Sequence, residues 1–357
     1  MTDAERPISV ADYETLARSA VEPGAWDYYA GGAGDEISLA DARASWDRIR
    51  LRPRVLVDVT TRELSTVAFG HRLPHPVIVA PTAAHLMAHP DAELATARGA
   101  AAAGAVMTLS TIASTPMEEV AEAAAGAPRW FQLYAPADRA WCEALVERAV
   151  AAGYGAIAVT VDLPFPGNRE RDVRNAFNLG IGAHLPPEQP TDERGIIEVP
   201  AFGWQDLAWL RSICPIPLVA KGILRADDAT RAVDAGCDGV WVSNHGGRQL
   251  DTAIAGIDAL PEIADAVGDR ALLVVDGGVR RGIDVLKGLA LGADLVAVGR
   301  PVIWGLAVGG AEGVQRVLEI LRDELSLAMA LAGCRTLDEI TEDLVRQPSG
   351  RGVATGQ

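Results

Sequence analysis

The sequence predicts an α/β chain closed into a (β/α)8 TIM barrel, with an N-terminal helical extension and a long loop after strand 4. Three observations carry that expectation. Short apolar runs recur along the 357 residues, each followed by a polar or glycine turn and then an amphipathic stretch. The runs are continuously apolar, as strands buried on both faces of a parallel sheet must be. They number eight, the count that closes a barrel rather than leaving an open sheet. A doubly wound sheet is the alternative arrangement of the same units.

The expected strands are Val77–Pro81, Val106–Ser110, Trp130–Tyr134, Ile157–Asp162, Leu218–Gly222, Val240–Asn244, Leu272–Gly277 and Leu295–Arg300. Between them Asp91–Ala103, Met117–Ala125, Arg139–Ala151, Ala226–Ala235, Asp258–Val267 and Gly282–Ala290 read as helices. Several of these end near Ala-Gly, a helix stop just before the next strand. Residues 1–76 precede the first strand and hold helical stretches at Val10–Ser19, Ala25–Ala30 and Ser38–Trp46, expected to form a lid or plug over one barrel end. The barrel proper spans 77–346. Residues 163–216 separate strands four and five by more than an ordinary βα connection, and loops of that length are usually functional. The tail 347–357 reads as disordered.

Composition narrows the function. Hydrophobic residues make up 49% and charged residues 22%, enough to bury a large core. The net charge of −16 comes without a basic stripe, so nucleic acid and anionic lipid are not expected partners. No run approaches the ~18 apolar residues of a membrane span. The first residues, MTDAERPISV, lack the apolar stretch of a secretory signal, so a cytoplasmic location is expected. Cys142, Cys214, Cys237 and Cys334 form no CxxC pair and read as buried free thiols, and no metal site is expected.

Catalytic groups of such barrels sit at the C-terminal strand ends. Those ends carry Pro81-Thr82-Ala83, Ser110, Gln132 with Tyr134, Thr160 with Asp162, Lys221, Ser243 with His245 and Arg248, Asp276 with Gly278 and Arg280, and Gly299-Arg300. Strands seven and eight both end in glycine turns followed by an arginine and a helix, which suits a phosphate: backbone N–H groups approach it and guanidinium groups fork onto its oxygens. Such turns also serve merely to close a tight loop. Lys221 reads either as a Schiff-base lysine or as a fixed positive charge beside an electron-rich ring. His245, with Asp162 reaching the same rim, is the candidate general base. Arg169 and Arg248 suit a carboxylate.

The segments Tyr28-Tyr29-Ala30-Gly31-Gly32-Ala33, Ala80-Pro81-Thr82-Ala83, Trp130-Phe131-Gln132-Leu133-Tyr134 and Ser243-Asn244-His245-Gly246-Gly247-Arg248-Gln249-Leu250-Asp251 are joined by Asp276-Gly277-Gly278-Val279-Arg280-Arg281-Gly282. On these segments the chain resembles the FMN-dependent L-2-hydroxy acid oxidases and dehydrogenases: glycolate oxidase, lactate oxidase, mandelate dehydrogenase and hydroxymandelate oxidase. The resemblance runs from about residue 8 to residue 340. It implies that Ala80, Pro81, Thr82, Ala83, Ser110, Gln132, Thr160 and Ser243 contact the flavin and its ribityl chain. Lys221 would then lie near the flavin N1 and C2 carbonyl. Asp276, Gly278, Arg280, Gly299 and Arg300 would hold the ribityl phosphate.

The same resemblance gives His245 the substrate proton with Asp162 as its partner, gives Tyr28, Arg169 and Arg248 the carboxylate, and gives Tyr134 the substrate hydroxyl. The implied reaction takes an (S)-2-hydroxy acid to the 2-keto acid, with O2 as acceptor giving H2O2. His245 removes either the α-proton or the hydroxyl proton. At Ile112 glycolate oxidases usually bear a Trp, and Pro166 also departs from them, which implies room for an aromatic substrate such as mandelate or 4-hydroxymandelate. Ala83 is typical of members that use oxygen. The membrane-anchoring loop of some mandelate dehydrogenases is expected to be absent, since 163–216 has no strongly apolar stretch. Relatives form tetramers or octamers, so a homo-oligomer is expected. The rivals are a dehydrogenase passing electrons to a quinone or carrier, a glycolate or lactate oxidase, an FMN-dependent isomerase of a diphosphate, and a barrel that only binds.

Overall fold

The computed structural model describes residues 7–135, 138–180, 182–185, 191–194, 197–199 and 201–346. The expected tail 347–357 lies outside the described residues. Helix α1 (Val10–Ala20) starts on a capping box, in which Ser9 Oγ accepts from the Asp12 N–H at 3.2 Å and the Asp12 carboxylate accepts from the Ser9 N–H at 3.0 Å. It is followed by α2 (Pro23–Ala30), α3 (Ile37–Arg48), β1 (Arg50–Leu51) and a hairpin of β2 (Thr66–Ala68) with β3 (His71–Leu73).

Then come β4 (Val77–Val79), α4 (Ala92–Ala103), β5 (Met107–Ser110), α5 (Met117–Ala123), β6 (Arg129–Leu133), α6 (Arg139–Ala151) and β7 (Ile157–Thr160). The connection from strand four to strand five carries α7 (Glu170–Arg174) and α8 (Trp204–Ile213). The second half is β8 (Leu218–Ile223), α9 (Ala226–Asp234), β9 (Gly239–Val242), α10 (Gly256–Val267), β10 (Leu272–Val275), α11 (Gly282–Ala290), β11 (Leu295–Val298), α12 (Arg300–Ala332) and β12 (Val345–Arg346), which returns antiparallel onto β1.

Strands β4 to β11 form a closed parallel barrel, as the periodicity predicts, with β11 joining back onto β4 at Val296–Val77, Ala297–Ile78 and Val298–Val79. The ladders are shorter than the apolar runs. Strand β4 stops at Val79 and β9 at Val242, so Pro81-Thr82-Ala83 and Ser243-Asn244-His245 belong to turns. That matters for function, because turn backbone can aim side chains inward where a ladder would alternate them.

The N-terminal segment reaches both ends of the barrel. At the bottom, Phe69 at the hairpin tip packs on Trp130 with ring centroids 5.4 Å apart. Trp130, Trp241, Ile78, Val219 and Val274 fill the barrel interior beneath the mouth. At the top, Trp26 of α2 stacks on Trp304 at 4.4 Å, which carries Tyr28 and Tyr29 over the rim. Helix α12 is broken at Gly309–Gly310, where the backbone leaves helical geometry. The four cysteines are all buried, as expected. Among the described residues no helix is long and apolar enough to cross a membrane, and no His, Cys, Asp and Glu cluster could hold a metal.

Candidate active site

The mouth of the barrel holds one cavity of about 1050 Å³, part of it open to solvent. The expected residues Tyr28, Ala80, Pro81, Thr82, Ala83, Ser110, Ile112, Gln132, Tyr134, Thr160, Arg169, Lys221, His245, Arg248, Asp276, Gly278, Arg280, Gly299 and Arg300 all line it. Asp162 and Ser243 are not among the lining residues; they touch His245 and Lys221, which are. Pro166 is not among the lining residues.

Three layers of polarity can be read from the floor upward. On one side Ser110 Oγ donates to Gln132 Oε1 at 3.2 Å, and Gln132 Nε2 donates to Thr160 Oγ1 at 2.9 Å. This fixes the amide's orientation and presents alternating donors and acceptors to the cavity. Opposite, Lys221 Nζ donates to Ser243 Oγ at 3.1 Å and sits 3.4 Å from Asp276 Oδ2. Ser243 Oγ donates in turn to Asp276 Oδ1 at 2.6 Å. Lys221 thus has a carboxylate partner in its buried position, as a buried cation needs. No substrate carbonyl is needed to explain its placement, which favours the fixed-charge reading over the Schiff base.

The far end is cationic and built from glycine backbone. Gly277 and Gly278 have φ of +93° and +77°, and a Cβ on Gly278 would lie 2.0 Å from the Ala42 carbonyl. Arg280 pairs loosely with Glu14 at 3.7 Å. Arg300 donates to the carbonyls of Tyr29 at 2.7 Å, Gly31 at 2.8 Å and Gly246 at 3.1 Å, with no carboxylate among its hydrogen-bond partners in the described residues. Burial first, then Arg248 and Arg280, brings its guanidinium down to about 9. Arginines crowded this way, beside a glycine turn whose positive φ and close packing on Ala42 exclude a side chain, fit a dianion such as a phosphate.

The upper layer holds the reactive groups. His245 Nδ1 lies 3.0 Å from Asp162 Oδ1, which leaves Nε2 free to work in the cavity. The histidine has φ of +59°, a conformation few side chains other than glycine adopt, so the turn holds the ring there at some cost. Burial pushes its pKa down from 6.5; Asp162 opposes this, while Lys221 and Arg169 add to it. The ring is therefore neutral near pH 7, the state a base requires. The Asp162 carboxyl feels burial pushing upward, but the charge and hydrogen bond of His245 and the charge of Lys221 hold it below its ordinary range. Its Oδ2 is buried without a partner. Gly222 makes room for it: a Cβ there would lie 2.3 Å from Asp162 Cγ.

Arg169 is buried, and among the described residues its hydrogen bonds are long, to the Arg248 carbonyl at 3.3 Å and to Gln249 Oε1 at 3.4 Å. Burial, then Arg248, brings it down to about 10. Arg248 lies over the Tyr28 ring at 4.6 Å and donates to the Tyr28 carbonyl. Two guanidinium groups thus face one volume beside an imidazole, an arrangement that suits a carboxylate. Tyr134 is buried there, and burial, then Asp162, raises its phenol, so it stays a protonated donor. Ile112, Tyr134 and Leu163 belong to an apolar cluster with Leu185, Ile197 and Val199.

Two contributors were missed by the strand-end reading. Tyr29 lines the cavity and donates to the Ala84 carbonyl at 2.6 Å, tying α2 to the first strand's turn. The doubled aromatic Tyr28-Tyr29 was its signal. His85 stands behind Thr82 at 2.5 Å, and its spacing of three residues from Thr82 was the clue.

The chain is similar to known proteins over nearly its whole length. L-lactate oxidase from Nostoc sp. is 50% identical, with 95% of this chain and 98% of that protein covered. 2-Hydroxyacid oxidase 1 from Homo sapiens is 47% identical, with 96% and 97% covered. The crystal structure of mandelate oxidase with (S)-4-hydroxymandelic acid superimposes with a TM-score of 0.89 at 42% identity, covering 95% of this chain and 98% of that one. The family model described as FMN-dependent dehydrogenase matches residues 17–347, and the chain belongs to this family of FMN enzymes.

Proposed function

We propose that the protein oxidises an (S)-2-hydroxy acid with an apolar, preferably aromatic, side chain to the 2-keto acid, and that O2 takes up the two electrons and two protons as H2O2. The cationic glycine turn suits the FMN phosphate on Gly278, Arg280 and Arg300, with Asp276 and Gly299 framing it. The Ser110–Gln132–Thr160 chain and Lys221 suit the polar edge of the ring, with Ala80, Pro81 and Ala83 against its faces. When bound, FMN supplies the two-electron acceptor.

The remaining steps belong to the chain's own side chains. Arg169 and Arg248 bind the carboxylate and Tyr28 closes over it, which fixes the α-carbon relative to His245. Tyr134 donates to the hydroxyl oxygen and follows it as it becomes a carbonyl. His245 Nε2 takes a proton, and Asp162 stabilises the imidazolium that results.

The single observation that supports an apolar substrate is the wall formed by Ile112, Tyr134 and Leu163, continuous with an apolar cluster and adjoining the two guanidinium groups. A hydroxymethyl-sized substrate would leave that wall uncovered. The 50% identity to an L-lactate oxidase favours a second reading, a small aliphatic acid. A panel of (S)-mandelate, (S)-lactate and glycolate, read as kcat/KM with peroxide counted per keto acid, separates them. Mandelate should lead with one peroxide per turnover. Preference for lactate or glycolate sinks the aromatic assignment, and turnover without peroxide sinks the oxidase assignment.

A further inference from the structure

We propose that His85 is a positioning residue that turns the Thr82 hydroxyl into a hydrogen-bond donor toward the cofactor; the inference rests on FMN occupying the cavity described above. Thr82 lines that cavity, and its Oγ1 lies 2.5 Å from His85 Nε2. The other ring nitrogen, Nδ1, lies 2.9 Å from Thr96 Oγ1 on α4. Both His85 and Thr96 are buried, at 2% and 0% exposure.

The direction of this chain follows from counting donors. A buried hydroxyl proton needs an acceptor. Thr96 is too deep to reach water, and the acceptor its side chain has is His85 Nδ1. If Thr96 donates to Nδ1, the histidine is the tautomer protonated on Nε2. Nε2–H then donates to Thr82 Oγ1. Thr82 has then accepted from one side and keeps its own proton, and the cavity that it lines is where it can give it.

The surroundings lock this arrangement. The Glu93 carboxylate accepts from the His85 N–H at 3.0 Å, from the Ser114 N–H at 2.9 Å and from the Thr115 hydroxyl at 2.8 Å. Backbone and ring of His85 are therefore held separately, and Ala84 beside it takes φ of +51° to make the fit. A donor preset beside a ring that gains negative charge on reduction favours the reduced form. The chain thus acts on the redox equilibrium rather than on substrate binding.

The test measures the midpoint potential of FMN bound to His85→Leu, Thr82→Val, the double variant and His85→Gln, alongside KM for the 2-hydroxy acid. Retention of yellow FMN by each variant checks the underlying cofactor reading separately. His85→Leu and Thr82→Val should each disfavour reduction by about tenfold, ~30 mV for a two-electron couple. The double variant should show no further change, because the two residues act as one chain. His85→Gln, which keeps an N–H for Thr82, should restore most of the potential, and KM should stay within about twofold throughout.

Additive shifts in the double variant overturn the proposal, as does an unmoved potential in Thr82→Val. Should His85→Leu fail to fold, an unmoved Thr82→Val potential still overturns it. A shifted Thr82→Val beside a near-normal His85→Gln supports it.

Discussion

Replacing Asp162 by Asn keeps the shape of the base's partner and removes its charge. The contact is a single one, Oδ1 to His245 Nδ1 at 3.0 Å, and Oδ2 has no partner to lose. The fold should therefore survive. Two unit charges ~4 Å apart interact by about 4 kcal/mol at an effective dielectric of ~20. Part of that is already present as a neutral hydrogen bond, so the loss specific to the imidazolium is about 2–3 kcal/mol. That corresponds to a roughly 30- to 150-fold slower proton transfer. The assay is the rate of flavin bleaching on anaerobic rapid mixing with saturating 2-hydroxy acid, which isolates the step from reoxidation. Asn can still accept from Nδ1–H through its Oδ1, so the tautomer is kept and the measured loss is electrostatic. A rate within twofold of the native protein would refute the pairing as a source of transition-state stabilisation.

The pH dependence has a fixed sign. His245 is held below 6.5, mainly by burial, so kcat/KM should rise with pH and reach its plateau with a midpoint below that value, as read from initial rates between pH 4 and 8. In Asp162→Asn the same limb should move to still lower pH, since the carboxylate that raises His245 is gone. Arg169→Met removes one of the two buried cations facing the carboxylate, so KM should rise at least tenfold with a lower kcat in steady-state kinetics. Gly278→Ala places a Cβ 2.0 Å from the Ala42 carbonyl at a φ of +77°, so the purified variant should lose most of its FMN absorbance.

Most of the barrel was legible because parallel strands buried on both faces must be apolar at every position, and eight such runs recur with a turn and a helical stretch after each. The site was legible for a related reason: strand ends are the places where such a run abruptly turns polar, as at Thr160, Lys221 and His245. What was not legible depends on contacts between distant segments. The hairpin that plugs the barrel has strands of three residues, and its purpose shows only in space, where Phe69 meets Trp130 and Ala68 and Leu73 join the interior cluster. Helix α8 lay inside the supposed loop because its buried face amounts to Leu207 and Leu210. Thr82 and His85 are neighbours in sequence, but Thr96, which orients them, sits a full connection away on α4. Asp162 reads as a rim residue yet stands behind His245, since the strand ends two residues before it.

The most direct test of the central claim is an anaerobic titration of the yellow holoenzyme with each enantiomer of mandelate, and with lactate if mandelate fails, followed in the visible flavin band. One equivalent of the (S)-acid should bleach the band and yield one keto acid, while the (R)-acid leaves it intact. Protein that takes up no FMN, or bound FMN that no 2-hydroxy acid bleaches, would contradict the assignment.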